Sequence, residues 1–304
     1  MPFIDLDGEL FHYASVGEGR PFVFQHGMGA DVTQPLSSGG NLAGWRMIAM
    51  DCRGHGQTEA NLDPARVSFA QFAEDLAMLL NSLSIKRAVV GGISMGAGVA
   101  LAFALAHPER VRGLVLVRPA WLDHPFPPNL RWFPLAAGLL QEYLADEAAQ
   151  RFTQLPEFSE LKAASKPAAD SLLGQFRRPY ARERAGILVG MPASVPVTSL
   201  TQCQHLQIPV LVVVNAHDPV HPDTLGEQLA AAIPGAALSR ITSKAESETL
   251  HRADLARTLQ DFLEPIQRQS SSRTLDSSAR PAPPNEASPR DVSQQLSHSP
   301  PHFA

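Results

Sequence analysis

Apolar and polar positions along this chain follow two alternating rhythms. Short apolar runs of strand length occur at residues 9–14, 21–25, 45–50, 89–93, 111–117, 209–214 and 237–242. Between several of them lie stretches with helical spacing. Ser68 and Gln71 form a capping-box pair ahead of Phe69, Phe72, Leu76, Leu79, Leu80 and Leu83, which predicts a helix. Residues 95–106 are small and apolar on every side, as in a helix buried against a sheet, and His107-Pro108 ends it. Leu255, Leu259, Phe262 and Ile266 make the stripe of a last helix that follows a helix at about residues 224–232. Repeated alternation of this kind predicts an α/β fold, a mostly parallel central sheet covered by helices on both faces.

The rhythm breaks twice. Residues 119–200 carry many prolines, helical patches such as 135–149 and the aromatics Trp121, Phe126, Trp132 and Phe133, and read as a helical insertion between two strands. The core is then formed by residues 1–118 and 201–266. Residues 267–304 are rich in Ser, Pro and Gln and lack the apolar side chains needed to offset ordering, so a disordered tail is expected. Pro281 and Pro284 give a P-x-x-P spacing that such a composition produces without any docking role.

Composition narrows the partners. With 304 residues and 44% hydrophobic content there is material for one large core. A net charge of -5 and the lack of basic clusters argue against a nucleic-acid surface. Cys52 and Cys203 make no disulfide framework, and no apolar run reaches the length of a membrane span or of a leader's apolar segment. A cytoplasmic protein with a small-molecule substrate, no cofactor and no metal is expected.

The chemistry concentrates at Gly92-Ile93-Ser94-Met95-Gly96, which has the G-x-S-x-G form of a nucleophile elbow. Glycines let strand and helix pass closely, and the serine is held in strained backbone with its oxygen outward. A serine hydroxyl needs a base to take its proton, and the base needs an orienting acid.

Three further motifs lie at strand ends in order: His26-Gly27, Asp51-Cys52-Arg53-Gly54-His55-Gly56 and Asp218. With the elbow they make residues 8–265 resemble the α/β-hydrolase superfamily. The resemblance implies Ser94 as nucleophile, Asp218 as acid (Asp123 being the alternative), and an oxyanion hole from the backbone N–H groups of Met28 and Met95. It gives His26 and His55 structural roles, and makes residues 119–200 a cap in which Trp121, Trp132 and Phe133 line an acyl pocket or simply pack the cap. Arg177 and Arg178 read as solvated surface, with contact to an anionic substrate as the other reading.

The chain departs from the family at the base. The usual Gly-His after the last strand is replaced by Ser243-Lys244-Ala245-Glu246-Ser247-Glu248. His251, one turn before Leu255, would point inward with the last helix's stripe and is the expected base. His221 is the second candidate, disfavoured because it shares the acid's own loop. The implied activity is a serine hydrolase acting on a small or medium ester, thioester, lactone or amide. Carbon–carbon hydrolysis and cofactor-free perhydrolysis use the same groups, whereas haloalkane dehalogenases and epoxide hydrolases carry Asp at the elbow. The alternative is a non-catalytic binding protein on the same fold, motivated by the missing Gly-His.

Overall fold

The apolar runs become the strands of one sheet in a computed structural model that describes residues 2–40 and 42–277. The strands are β1 (Phe3–Leu6), β2 (Glu9–Val16), β3 (Arg20–Gln25), β4 (Trp45–Met50), β5 (Ala88–Ile93), β6 (Val111–Val117), β7 (Val210–Val214) and β8 (Ala237–Arg240). Their order across the sheet is β1-β2-β4-β3-β5-β6-β7-β8. From β4 to β8 every pairing is parallel, and β1 and β2 add an antiparallel edge. The expected fold class is therefore the one observed. The short β1 and a helix at Thr33–Ser38, inside a stretch that reads as loop, are additions.

β5 lies at the centre with all six residues buried. The helix that follows it, Met95–Ala106, is buried without interruption from Met95 to Ala104, which accounts for its lack of a polar face. The helix Phe69–Ser82 packs beside it, and the absence of a side chain at Gly98 leaves room for the Phe69 ring. Its N-cap is half of the predicted box. Ser68 accepts from Gln71 N at 3.1 Å, but the Gln71 side chain turns to Asp75 instead.

Between β6 and β7 the chain forms a series of short helices, including Trp132–Glu142, Ala145–Thr153, Pro156–Ala164, Lys166–Gly174 and Ile187–Ala193. The compact unit spans Met1–Gln267. The last helix, Glu248–Ser277, continues beyond the expected end at Ile266, so residues 267–277 differ from the tail reading. The rest of that tail, with Pro281 and Pro284, lies outside the described residues.

The Asp-x-Arg-Gly-His-Gly segment after β4 is structural. Arg53, fully buried, gives Nε to Asp75 Oδ2 at 2.7 Å and Nη2 to Asp75 Oδ1 at 2.9 Å, and meets Glu9 Oε2 at 2.6 Å. One guanidinium thus ties β2, the β4 loop and the helix Phe69–Ser82 together. Arg53→Met would leave the Asp75 carboxylate buried without its partner, a loss of about 3–5 kcal/mol. Urea unfolding of the variant should show an unfolding free energy lower by that amount, seen as a lower midpoint at unchanged slope; an unchanged midpoint would contradict the role.

Candidate active site

The elbow is set by close backbone approach. A Cβ on Gly92 would overlap the backbone of Gly96, and a Cβ on Gly96 would overlap the Gln25 carbonyl. Ser94 between them has φ 57° and ψ -113°, a strained conformation for a residue with a side chain. Its own N–H bonds Val117 O at 2.9 Å, which fixes the turn to the neighbouring strand. The helix starts at Met95, so the Met95 N–H has no carbonyl one turn back within its own helix.

Ser94 and the loop after β7 meet directly. His221 Nε2 accepts from Ser94 Oγ at 2.8 Å, while its Nδ1 donates to Asp218 Oδ2 at 2.9 Å. The other oxygen, Oδ1, accepts the backbone N–H groups of Val220 and His221, both at 3.2 Å. Arg118, at the end of β6 with φ 48°, gives Nη1 to Oδ2 at 3.1 Å. Asp218 thus receives two N–H groups on each oxygen.

Charge follows from that arrangement. Burial pushes the Asp218 carboxyl up, but His221 and Arg118 together outweigh it and hold it well below the usual carboxylate range. Burial is also the largest influence on His221. With Arg118 and Lys244 it overcomes the upward pull of Asp218, so the imidazole titrates below its ordinary value. At neutral pH the pair is a carboxylate and a neutral imidazole, the state in which Nε2 can take a proton from Ser94.

The histidine assignment is corrected. His251 is buried and shares the inward face of the last helix, as its spacing predicts. However, its Nδ1 donates to Thr242 O at 2.8 Å, and burial and Arg118 bring it down to about 4. The structure does not place it between Asp218 and Ser94. His221 takes that position because the Asp218-to-His221 turn, closed by His221 N to Asp218 O at 3.1 Å, puts both side chains on the same side. Asp123 is also apart, accepting Leu200 N at 3.2 Å.

His26 and His55 are buried and do not line the cavity that holds Ser94. His26 Nδ1 donates to Gly27 O at 2.8 Å and Nε2 accepts Cys52 N at 3.0 Å, so both ring nitrogens serve backbone. Met28 and Phe133 line the cavity that holds Ser94, about 680 Å³ counted out to its solvent mouth. Trp121 and Trp132 do not line it. Their Nε1 groups donate to Met191 O and Glu157 O at 3.1 and 2.9 Å, and both rings pack the insertion, which corrects two of the three pocket residues expected. Arg177 is exposed, whereas both terminal nitrogens of Arg178 are enclosed and the residue does not line this cavity.

Several site residues escape sequence reading. Arg118 follows β6 as an ordinary strand-end arginine, and only the fold brings it to Asp218, 100 positions later. Gln34 accepts Gly27 N at 2.7 Å from a segment that reads as loop. Gln175 donates Nε2 to Met28 O at 3.3 Å, and its side chain sits where a Cβ on Gly29 would be. Lys244 lines the cavity beside Ser94. Among the described residues no cluster of His, Cys, Asp and Glu could hold a metal, and no helix is long and apolar enough to cross a membrane.

Comparison with known proteins places this fold in a class. The family model of the alpha/beta hydrolase fold matches residues 20–246, and the chain belongs to that family. It is similar to 2-hydroxymuconate semialdehyde hydrolase of Pseudomonas putida, 29% identical over 264 residues that cover 81% of this chain and 88% of that protein. A shorter match, 39% identical over 119 residues, is to the dihydrolipoyllysine-residue acetyltransferase component of the acetoin cleaving system of Cupriavidus necator. It covers 38% of this chain and 31% of that protein's length. Among solved structures, the enol-lactonase of Burkholderia xenovorans LB400 superposes with a TM-score of 0.68 at 24% identity, covering 86% of this chain and all of that one, and shares the fold.

The position of Arg118 generates a pH test. Its cation favours a neutral His221, so Arg118→Met should raise the imidazole's pKa. The acidic limb of kcat/KM on p-nitrophenyl butyrate, which falls as His221 gains a proton, should then move to higher pH. A limb that stays in place or moves down would contradict this coupling.

Proposed function

We propose that this protein is a serine hydrolase acting on a small or medium ester, thioester, lactone or amide through an acyl-enzyme on Ser94. Ser94 Oγ attacks the acyl carbonyl carbon as its proton passes to His221 Nε2, and Asp218 stabilises the imidazolium formed. The backbone N–H groups of Met28 and Met95 receive the oxyanion, an electrostatic contribution of about 3–4 kcal/mol for each well-placed donor. His221 returns the proton to the leaving oxygen, nitrogen or sulfur as the acyl bond breaks. Water then gives a proton to His221 and attacks the acyl-enzyme, and the proton goes back to Ser94 as the acid departs.

One observation carries this reading: the His221 ring hydrogen-bonded to Ser94 on one nitrogen and to Asp218 on the other. Membership of the alpha/beta hydrolase fold family supports it, as do relatives named as hydrolases, including the pimeloyl-[acyl-carrier protein] methyl ester esterase of Neisseria meningitidis. The missing Gly-His was the motive for a non-catalytic protein, and that motive lapses once a histidine stands against the serine.

Labelling with a fluorophosphonate probe should modify Ser94, and turnover of p-nitrophenyl butyrate should fall by about 10^3-fold or more in His221→Ala. His251→Asn keeps a donor for Thr242 O and should retain activity within about tenfold. An unlabelled wild type would sink the hydrolase reading. Loss of turnover in His251→Asn alone would restore His251 as the base.

A further inference from the structure

The cavity that holds Ser94 is lined by more positive charge than its own carboxylate balances. Arg118 and Lys244 both line the cavity with Ser94, and both also line the adjoining one with Gln34, Ser38 and His251. The two cations therefore stand in the partition between the cavities. Against them is a single carboxylate, Asp218, which His221 and Arg118 Nη1 already occupy. Arg118 Nε is enclosed with no hydrogen-bond partner among the described residues. The Lys244 amine makes no hydrogen bond or ion pair to any described residue, although the side chain is partly buried. Glu248, an acid in its vicinity, is paired with Arg252 at 2.6 Å and exposed. Burial, reinforced by Arg118, brings Lys244 down to about 8, so near neutral pH the amine still carries its charge.

An enclosed donor without an acceptor, such as Arg118 Nε, costs free energy that an arriving acceptor recovers, and the Lys244 ammonium adds a cation for the same acceptor to pair with. A nucleophile that shares the cavity with them fixes which molecule brings that acceptor. Resting on the hydrolase reading, we propose that the substrate is an anionic acyl compound whose carboxylate is held by Lys244, with Arg118 beside it, while its scissile carbonyl lies at Ser94. On this assignment Lys244 is a specificity-determining residue, and the cavity discriminates by charge at the end of the acyl chain. Phe133, Ala168 and Leu172 line the same cavity and offer apolar surface for the methylenes between the two ends.

The test pairs substrates that differ only in that charge. The mono-p-nitrophenyl esters of glutarate, adipate and suberate are compared with p-nitrophenyl pentanoate, hexanoate and octanoate, so that three separations of carbonyl and carboxylate are sampled. At least one anionic ester should exceed its neutral partner in kcat/KM by about tenfold or more, the gain expected of a partly desolvated charge pair. Lys244→Met and Lys244→Gln should each collapse that ratio, mainly through KM, and Lys244→Arg should recover part of it. A ratio near one for every pair, or a preference that survives both neutral variants, overturns the proposal. If no ester is turned over and Ser94 is not labelled, the hydrolase reading fails separately. Calorimetry of adipate on the wild type and on Lys244→Met then decides this inference: binding that depends on Lys244 keeps it, and no such binding overturns it.

Discussion

The constraint on which this molecule depends is the contact of three backbones at the elbow. Gly92 at the end of β5, Gly96 in the first turn of the next helix and the Gln25 carbonyl at the end of β3 leave no room for a Cβ. The helix can then start directly above the sheet's central strand, and Ser94 is forced to φ 57° at the top of the crossing. Strain of this kind costs about 1–3 kcal/mol and persists only where the surroundings over-determine it. Here they do, since β5 is buried throughout and Ser94 N is held by β6. The stability of the whole sheet is used to keep one hydroxyl pointed into a cavity.

A second economy lies in the loop after β7. Asp218 and His221 are three residues apart, and the same short turn that bonds His221 N to Asp218 also aims the ring at Ser94. Sequence reasoning disfavoured this because neighbouring residues on one loop rarely span the distance from acid to nucleophile. The turn resolves the difficulty: with Pro219 and Pro222 limiting its backbone, the loop presents both side chains toward β5. The loop after β8 is thereby released from supplying a histidine. It supplies Lys244 to the cavity instead, while His251 behind it becomes a buried, neutral support for Thr242.

What was legible in the sequence follows the range of the forces involved. The sheet and the strand–turn–helix crossing at Ser94 were readable because strand runs and glycine punctuation are local signals. The buried helix Met95–Ala106 was readable for the same reason. His251 was expected beside Ser94 because the apolar stripe of the last helix reports only that it faces inward, and it does so toward Thr242. Trp121 and Trp132 were aromatic signals without direction, and their ring N–H groups had to find backbone partners that no pattern announces. Arg118 and Gln175 gain their roles from residues 100 and 147 positions away, a pairing that one sequence does not encode visibly.

Gln175 shows that the helical insertion does more than enclose the cavity. The segment Gly27-Met28-Gly29 is held from the core side by Gln34, which accepts Gly27 N at 2.7 Å, and from the insertion by Gln175, which donates to Met28 O at 3.3 Å. Gly29, at φ 80°, leaves the space that the Gln175 side chain fills. An oxyanion donor works by being in place before charge develops, so its worth depends on how firmly its peptide is held. In the proposed mechanism the Met28 N–H belongs to a peptide chain gripped on both sides by amide side chains from different elements. A movement of the insertion that broke the Gln175 contact would loosen that donor as it opened the cavity. Access and transition-state stabilisation would then be coupled through a single hydrogen bond, beside a serine that the close packing of Gly27 against Ser94 keeps next to that donor.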